Sequence, residues 1–207
     1  MKVILLAALL LGAVGAQSTK PFSHQVHLKL QPECIACHPS AQASAKLEDN
    51  NLPDVKVCAG CHKEGEVKVK PPAQTNLSAF PHAIHVKLNV AASIAKAIDS
   101  GDYLGKPGEK QREQLNTKNV CAACHRGLET SDVVSKANFP QMADCLVCHN
   151  EIDVPFSCVK CHAKDAQLKP ANHTADFLDS HTTGRLNLDK TTCAVCHGRT
   201  FQCQGCH

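Results

Sequence analysis

Every one of the 14 cysteines in this 207-residue chain belongs to a Cys-x-x-Cys-His motif. The copies are Cys34/Cys37/His38, Cys58/Cys61/His62, Cys121/Cys124/His125, Cys145/Cys148/His149, Cys158/Cys161/His162, Cys193/Cys196/His197 and, at the end of the chain, Cys203, Cys206 and His207. Two thiols three positions apart reach the two vinyl groups of one haem and form thioethers, and the next residue, His, then lies under the iron as proximal ligand. Such a chain is bound to fold around seven flat apolar bodies tied to it by covalent bonds.

Other uses of paired cysteines account for the pattern less well. A disulfide framework suits a secreted cysteine-rich chain, but it needs no His after every second Cys. Zinc sites pair two Cys-x-x-Cys units, or one with a distant His pair, and do not need that His seven times over. A thioredoxin-like redox pair occurs once. The expected cofactor is therefore haem c, seven copies, all covalent. The last two motifs are separated by only six residue steps from His197 to Cys203, at most about 20 Å of extended chain, so their haems are expected to be neighbours. Thioethers at Cys203 and Cys206 are expected to tie down the tail that ends on His207.

The six remaining histidines come in pairs: His24 and His27 in FSHQVHLKL, His82 and His85 in FPHAIHVKL, and His173 and His181 in NHTADFLDSH. A spacing of three on a helical turn puts two imidazoles near one face. Two haems meeting at that face can each take one, so all six are candidate distal ligands. The Phe two residues before each early pair is expected to pack on a haem face or in an ordinary core. Six distal candidates for seven irons leave one iron short. Counting by section points to the haem at Cys158/Cys161. Met142, the methionine left once the leader is removed, is either its thioether ligand or a packing residue; in the second case that iron is open, or bound by Lys, water or another group.

The early pairs head an internal repeat. FSHQVHLKL (22–30) matches FPHAIHVKL (80–88) at five of nine positions, offset by 58 residues. The motifs behind them match at offset 87: Cys34 with Cys121, Cys37 with Cys124, Cys58 with Cys145, Cys61 with Cys148, Ser44 with Ser131, and Asn51-Leu52-Pro53 with Asn138-Phe139-Pro140. The second copy thus carries an insertion over 89–119. Within it, Val90, Ile94 and Ile98 recur every four residues and predict an amphipathic helix over 90–99, ended by Ser100-Gly101. The polar stretch after it reads as an exposed loop or second short helix, and the whole insertion as a surface-packed decoration.

The domain plan follows: a signal peptide over 1–16, a two-haem module over 17–70, a linker over 71–79 marked by Pro71-Pro72, a three-haem module over 80–162, and a C-terminal two-haem module over 163–207. The leader has one Lys, an apolar run and small residues at Val14-Gly15-Ala16; the run is short for a membrane span, and a retained anchor is the competing reading. The chain has no Trp, one Tyr and six Phe. Aromatic side chains supply much of an ordinary core, so haem is expected to take their place. The expected fold class is mostly α and irregular, short helices and loops wrapped around a covalent haem core with little or no sheet, helices being clearest at 22–30, 80–100 and 172–182.

The segment PFSHQVHLKLQPECIACHPSAQASAKLEDNNLPDVKVCAGCH (21–62) resembles the class III multihaem cytochromes c, the cytochrome c3 and c7 type. The likeness extends more loosely over 80–162, and from 163 it is generic multihaem sequence. The resemblance implies a periplasmic, low-potential electron carrier with bis-histidine irons. It also implies that His24 and His82 serve the haems at Cys34/Cys37 and Cys121/Cys124, with His27 and His85 serving later haems. Seven haems rather than three or four is a departure from that family.

Three functions remain in view. The chain is read first as an electron conduit between redox protein partners, periplasmic or reaching the cell exterior, with no catalytic residues. The alternatives are a reductase or oxidase acting at the unsaturated iron, and a subunit of a haem-bridged filament. All seven motifs end in His, which argues against the enzyme. No basic patch interleaved with aromatics supports nucleic-acid binding. The formal charge of +3 includes Lys2 of the leader. Fourteen ionised propionates would carry the mature holoprotein to about −12, less those that burial keeps protonated, which favours basic partner surfaces.

Overall fold

The computed structural model describes residues 22–63, 66–67, 75–154, 156–185 and 188–200. The leader, Pro71-Pro72 and the last motif, with Cys203, Cys206 and His207, lie outside the described residues.

Short helices joined by turns make up the described residues, with no strand among them; an isolated antiparallel bridge pairs Leu77 with His162. Helix α1 (His24–Leu30) starts where Ser23 accepts the Val26 N–H at 3.3 Å. Single turns at α2 (Cys34–Cys37) and α3 (Val55–Cys58) carry the first two motifs, α3 being capped by Asp54. The expected helix at 80–100 is two helices, α4 (His82–Lys87) and α5 (Val90–Asp99). Asn89 makes the break by turning its side chain to the Ala92 N–H as the N-cap of α5. Behind them come α6 (Gln111–Gln114), α7 (Met142–Cys145), α8 (Phe177–Thr182) and α9 (Lys190–His197), the last capped by Asp189.

Helices α1 and α4 bury no residue: Val26, Leu30 and Ile84 are exposed, Leu30 by 81 %. What fixes these helices is docking of each repeat on the other. The Gln25 N–H donates to Ser131 O at 3.1 Å, and the Ala83 N–H donates to Ser44 O at 2.9 Å. Gln25 and Ala83 are equivalent positions of the repeat, as are Ser131 and Ser44. The two copies therefore exchange the same bond, as two subunits do across a two-fold axis. Ser23 adds a bond to Asp132 at 2.7 Å.

The insertion is not a surface decoration. Ile94, Ala95 and Ala97 of α5 join Tyr103, Leu115 and Ala143 in the main buried cluster, with Val147 and Val195 packed against it. Ala143 and Val147 belong to the His149 motif region and Val195 to the His197 motif, so the insertion clamps two distant motifs. Its helix ends as expected at Ser100-Gly101, Gly101 taking φ +75°. Gly105 (φ +122°) passes so close that a Cβ there would lie 3.3 Å from Ala143 and Val195. The polar stretch is the short helix α6, and Leu115 behind it is buried.

Met142 takes the packing role. It is partly buried against Leu104, Leu146 and Ala194, a second apolar cluster. Among the described residues few side chains are buried outside these two clusters, whereas Phe22, Phe139, Phe156, Val133 and Leu178 are exposed. That leaves large apolar surface beside the cysteine motifs for apolar groups to cover.

Candidate metal centres

Five motifs close the same turn. The N–H of His38, His62, His125, His149 and His162 donates to the carbonyl of its motif's first cysteine at 2.8–2.9 Å. In the sixth, α9 carries Cys193, Cys196 and His197 on one continuous helix. The twelve described cysteines form no disulfide. The seventh motif, Cys203 and Cys206 with His207, was expected beside the sixth; all three residues lie outside the described residues.

Each closed turn holds a histidine, and five of the motif histidines face a histidine from elsewhere. The ring centroids of His24 and His38 are 6.4 Å apart with planes 12° from parallel, and those of His82 and His125 are 6.5 Å apart at 10°. His27 faces His62 at 6.2 Å, His85 faces His149 at 6.4 Å, and His173 faces His197 at 6.2 Å and 5°. These rings are too far apart to touch. A metal–imidazole bond of about 2 Å on each side, plus roughly 1 Å from each ring centre to its nitrogen, separates the centroids by about 6 Å. The gaps fit one metal ion held between two imidazoles.

The other ring nitrogens agree with this. Nδ1 of His38 donates to Asn51 O at 2.7 Å, and Nδ1 of His125 donates to the equivalent Asn138 O at 3.2 Å. His27 and His85 donate to Ser23 O and Pro81 O at 2.8 and 2.9 Å, again equivalent positions. His162 donates to Asn76 O at 3.2 Å. A carbonyl only accepts, so the proton sits on Nδ1 and Nε2 presents its lone pair, as a metal-ligating His requires. His62 instead has the Glu66 carboxylate 3.8 Å from its Nδ1. In His24 and His82 the buried Nδ1 finds no acceptor. Burial lowers the pKa of His24, His82 and His125, which keeps them neutral and ready to coordinate.

A phenylalanine sets each distal pair. Phe22 stacks on His27 at 4.2 Å and meets His24 edge-on at 4.9 Å; Phe80 does the same to His85 and His82 at 4.4 and 4.8 Å. These rings pack on the imidazoles and spread them toward different motifs. Phe177 plays this part in the third section, stacked between His173 at 4.8 Å and His181 at 5.7 Å. Sequence reading missed Phe177 because it lies inside the pair instead of ahead of it.

Neighbouring motifs lie close together. Asn119, two residues before Cys121, donates to Cys34 Sγ at 3.3 Å, which brings the first and third motifs together. Cys145 lies near Cys124 and Cys161, and Cys196 near Cys158. The His38 and His62 motifs are joined through α1, whose His24 and His27 face them.

A buried polar knot, also missed, lies between the His125 and His149 motifs. Arg126 pairs with Asp144, at 6 % and 3 % side-chain exposure. Asp144 also accepts from Tyr103 OH at 3.0 Å, Gln111 at 3.2 Å and the Gln141 N–H at 2.8 Å, and Arg126 donates to Ala123 O at 2.7 Å. The first copy has Pro39 and Val57 at these positions, and it also lacks the insertion that supplies Tyr103 and Gln111.

Residues 30–207 match a family model described as outer membrane cytochrome MtrC/MtrF-like, domains II/IV. No curated protein and no solved structure matches the chain.

Proposed function

The chain belongs to the outer membrane cytochrome MtrC/MtrF-like family, and on that premise we propose that it is an exported electron conduit carrying seven covalent c-type haems. The reading assigns all fourteen cysteines, Cys203 and Cys206 included, to thioethers and the seven motif histidines to proximal ligation. His24, His27, His82, His85 and His173 become distal ligands of the irons at His38, His62, His125, His149 and His197. His181, stacked on Phe177 as His27 is on Phe22, serves His207 by the same repeat rule. The observation that carries the reading is the set of five facing imidazole pairs at 6.2–6.5 Å. The bound haem supplies the one-electron chemistry. The chain's own residues hold the macrocycles in place, fix the imidazole tautomers through Nδ1 and cover the porphyrin faces with apolar side chains.

On this reading the His62 and His38 sites would exchange electrons across α1, and the His38 and His125 sites where Asn119 meets Cys34. The modules 17–70, 80–162 and 163–207 are consecutive stretches of the conduit, and its partners are redox proteins. Among the described residues no helix is long and apolar enough to cross a membrane. Exported by its leader, the chain works in the periplasm or at the cell surface.

The test is intact-mass spectrometry of the mature holoprotein with a potentiometric titration of its spectrum. Seven attached haems, a mature start after Ala16 and reversible multi-step reduction are expected. Fewer attached haems, or a bare motif in peptide maps such as an unmodified Cys203–Cys206 peptide, would overturn the assignment.

A further inference from the structure

Among the described residues, His162 is prepared as a ligand yet faces no other imidazole. Its turn is closed like the others, with its N–H on Cys158 O at 2.9 Å. Its Nδ1 is tied to Asn76 O. Ser78 N–H donates to Cys161 O at 2.8 Å and Ala163 N–H to Asn76 O at 3.1 Å, so the motif is fixed on both sides. Five motif histidines each face another imidazole, whereas among the described residues no ring faces His162. Met142 is committed to the Leu104, Leu146 and Ala194 cluster.

Resting on the seven-haem reading, we propose that the haem at Cys158 and Cys161 has His162 as its single protein ligand and is a small-molecule binding site. Water holds the sixth position at rest. It leaves in exchange for a neutral diatomic ligand on ferrous iron or a small anion on ferric iron, with no change in oxidation state. The conduit thus has one exchangeable iron among seven, and occupation of that iron changes one of its redox centres.

The experiment uses the whole holoprotein and carbon monoxide as probe. Intact mass first fixes the haem count; a count below seven with a bare Cys158–Cys161 peptide would overturn both the conduit assignment and this site. With seven haems present, about one equivalent of carbon monoxide is expected per dithionite-reduced chain, and one high-spin haem in the oxidised protein. The C158A/C161A variant should lose that uptake and keep six low-spin haems. Should that variant fail to mature, C161S leaves one vinyl unreacted. An unreacted vinyl moves that haem's bands to longer wavelength, so the carbon monoxide difference band shifts only if the ligand sits there. Seven low-spin haems with no uptake would overturn the proposal and leave the conduit standing. Uptake unchanged in C158A/C161A, or an unshifted difference band in C161S, would overturn it equally.

Discussion

At the scale of single residues, the Arg126–Asp144 knot is the costliest to disturb. Asp144→Ala leaves a buried guanidinium with no counter-charge, and loss of one partner from such a pair costs about 3–5 kcal/mol. Urea unfolding followed by haem absorbance should show a midpoint lowered accordingly; a shift within error would mean that water reaches Arg126. Tyr103, the single tyrosine, reports on the same knot. Burial, with the Asp144 charge beside it, pushes its phenol up to about 12. Between pH 10 and 12 the unfolded chain has lost this proton and the folded chain keeps it. The unfolded state then binds fewer protons, so stability falls as pH rises through that window. Tyr103→Phe should flatten this loss, as read from urea midpoints over a pH series. The histidine pairs were legible because their spacing is local and their chemistry specific. Arg126 and Asp144 were not, because a charged residue next to a motif looks like any solvated charge until Tyr103 and Gln111 close over it.

At the scale of elements, α5 was legible as a helix from its four-residue apolar spacing, but its burial was not. The residues it packs on, Ala143 and Val195, come from motifs about 50 and 100 positions away, and no local pattern announces them. Ile94→Ala removes the one fully buried large side chain among the described residues and should cost about 2–5 kcal/mol. Gly105→Ala should also destabilise, since its φ of +122° and the 3.3 Å approach of Ala143 and Val195 leave no relaxed place for a methyl group. Calorimetry on both variants would show lowered, still cooperative transitions; wild-type Tm values would mean that α5 is the decoration its polar flanks suggest. The break at Asn89 is a capping decision, which periodicity does not register.

At the scale of the whole molecule, the protein part alone has little interior, and the proposed haems supply the rest. On the proposed seven haems, fourteen propionates would make the holoprotein of a chain with sequence pI about 8.2 acidic. Isoelectric focusing should place it well below neutrality, and a value above 8 would contradict the haem count or the exposure of the propionates. The exchange of equivalent bonds between the two repeats has a consequence for energy levels. On the seven-haem reading, such a relation gives two sites the same ligand frame. His24/His38 and His82/His125 share their tilt, their carbonyl partners at Asn51 and Asn138, and their unpartnered Nδ1 atoms on His24 and His82. Their surroundings differ: Arg126 follows His125 and pairs with Asp144, whereas the first copy has Pro39 and Val57 at those positions. On the proposed conduit, a difference in level between the two sites would come from where the symmetry fails, at the Arg126–Asp144 knot.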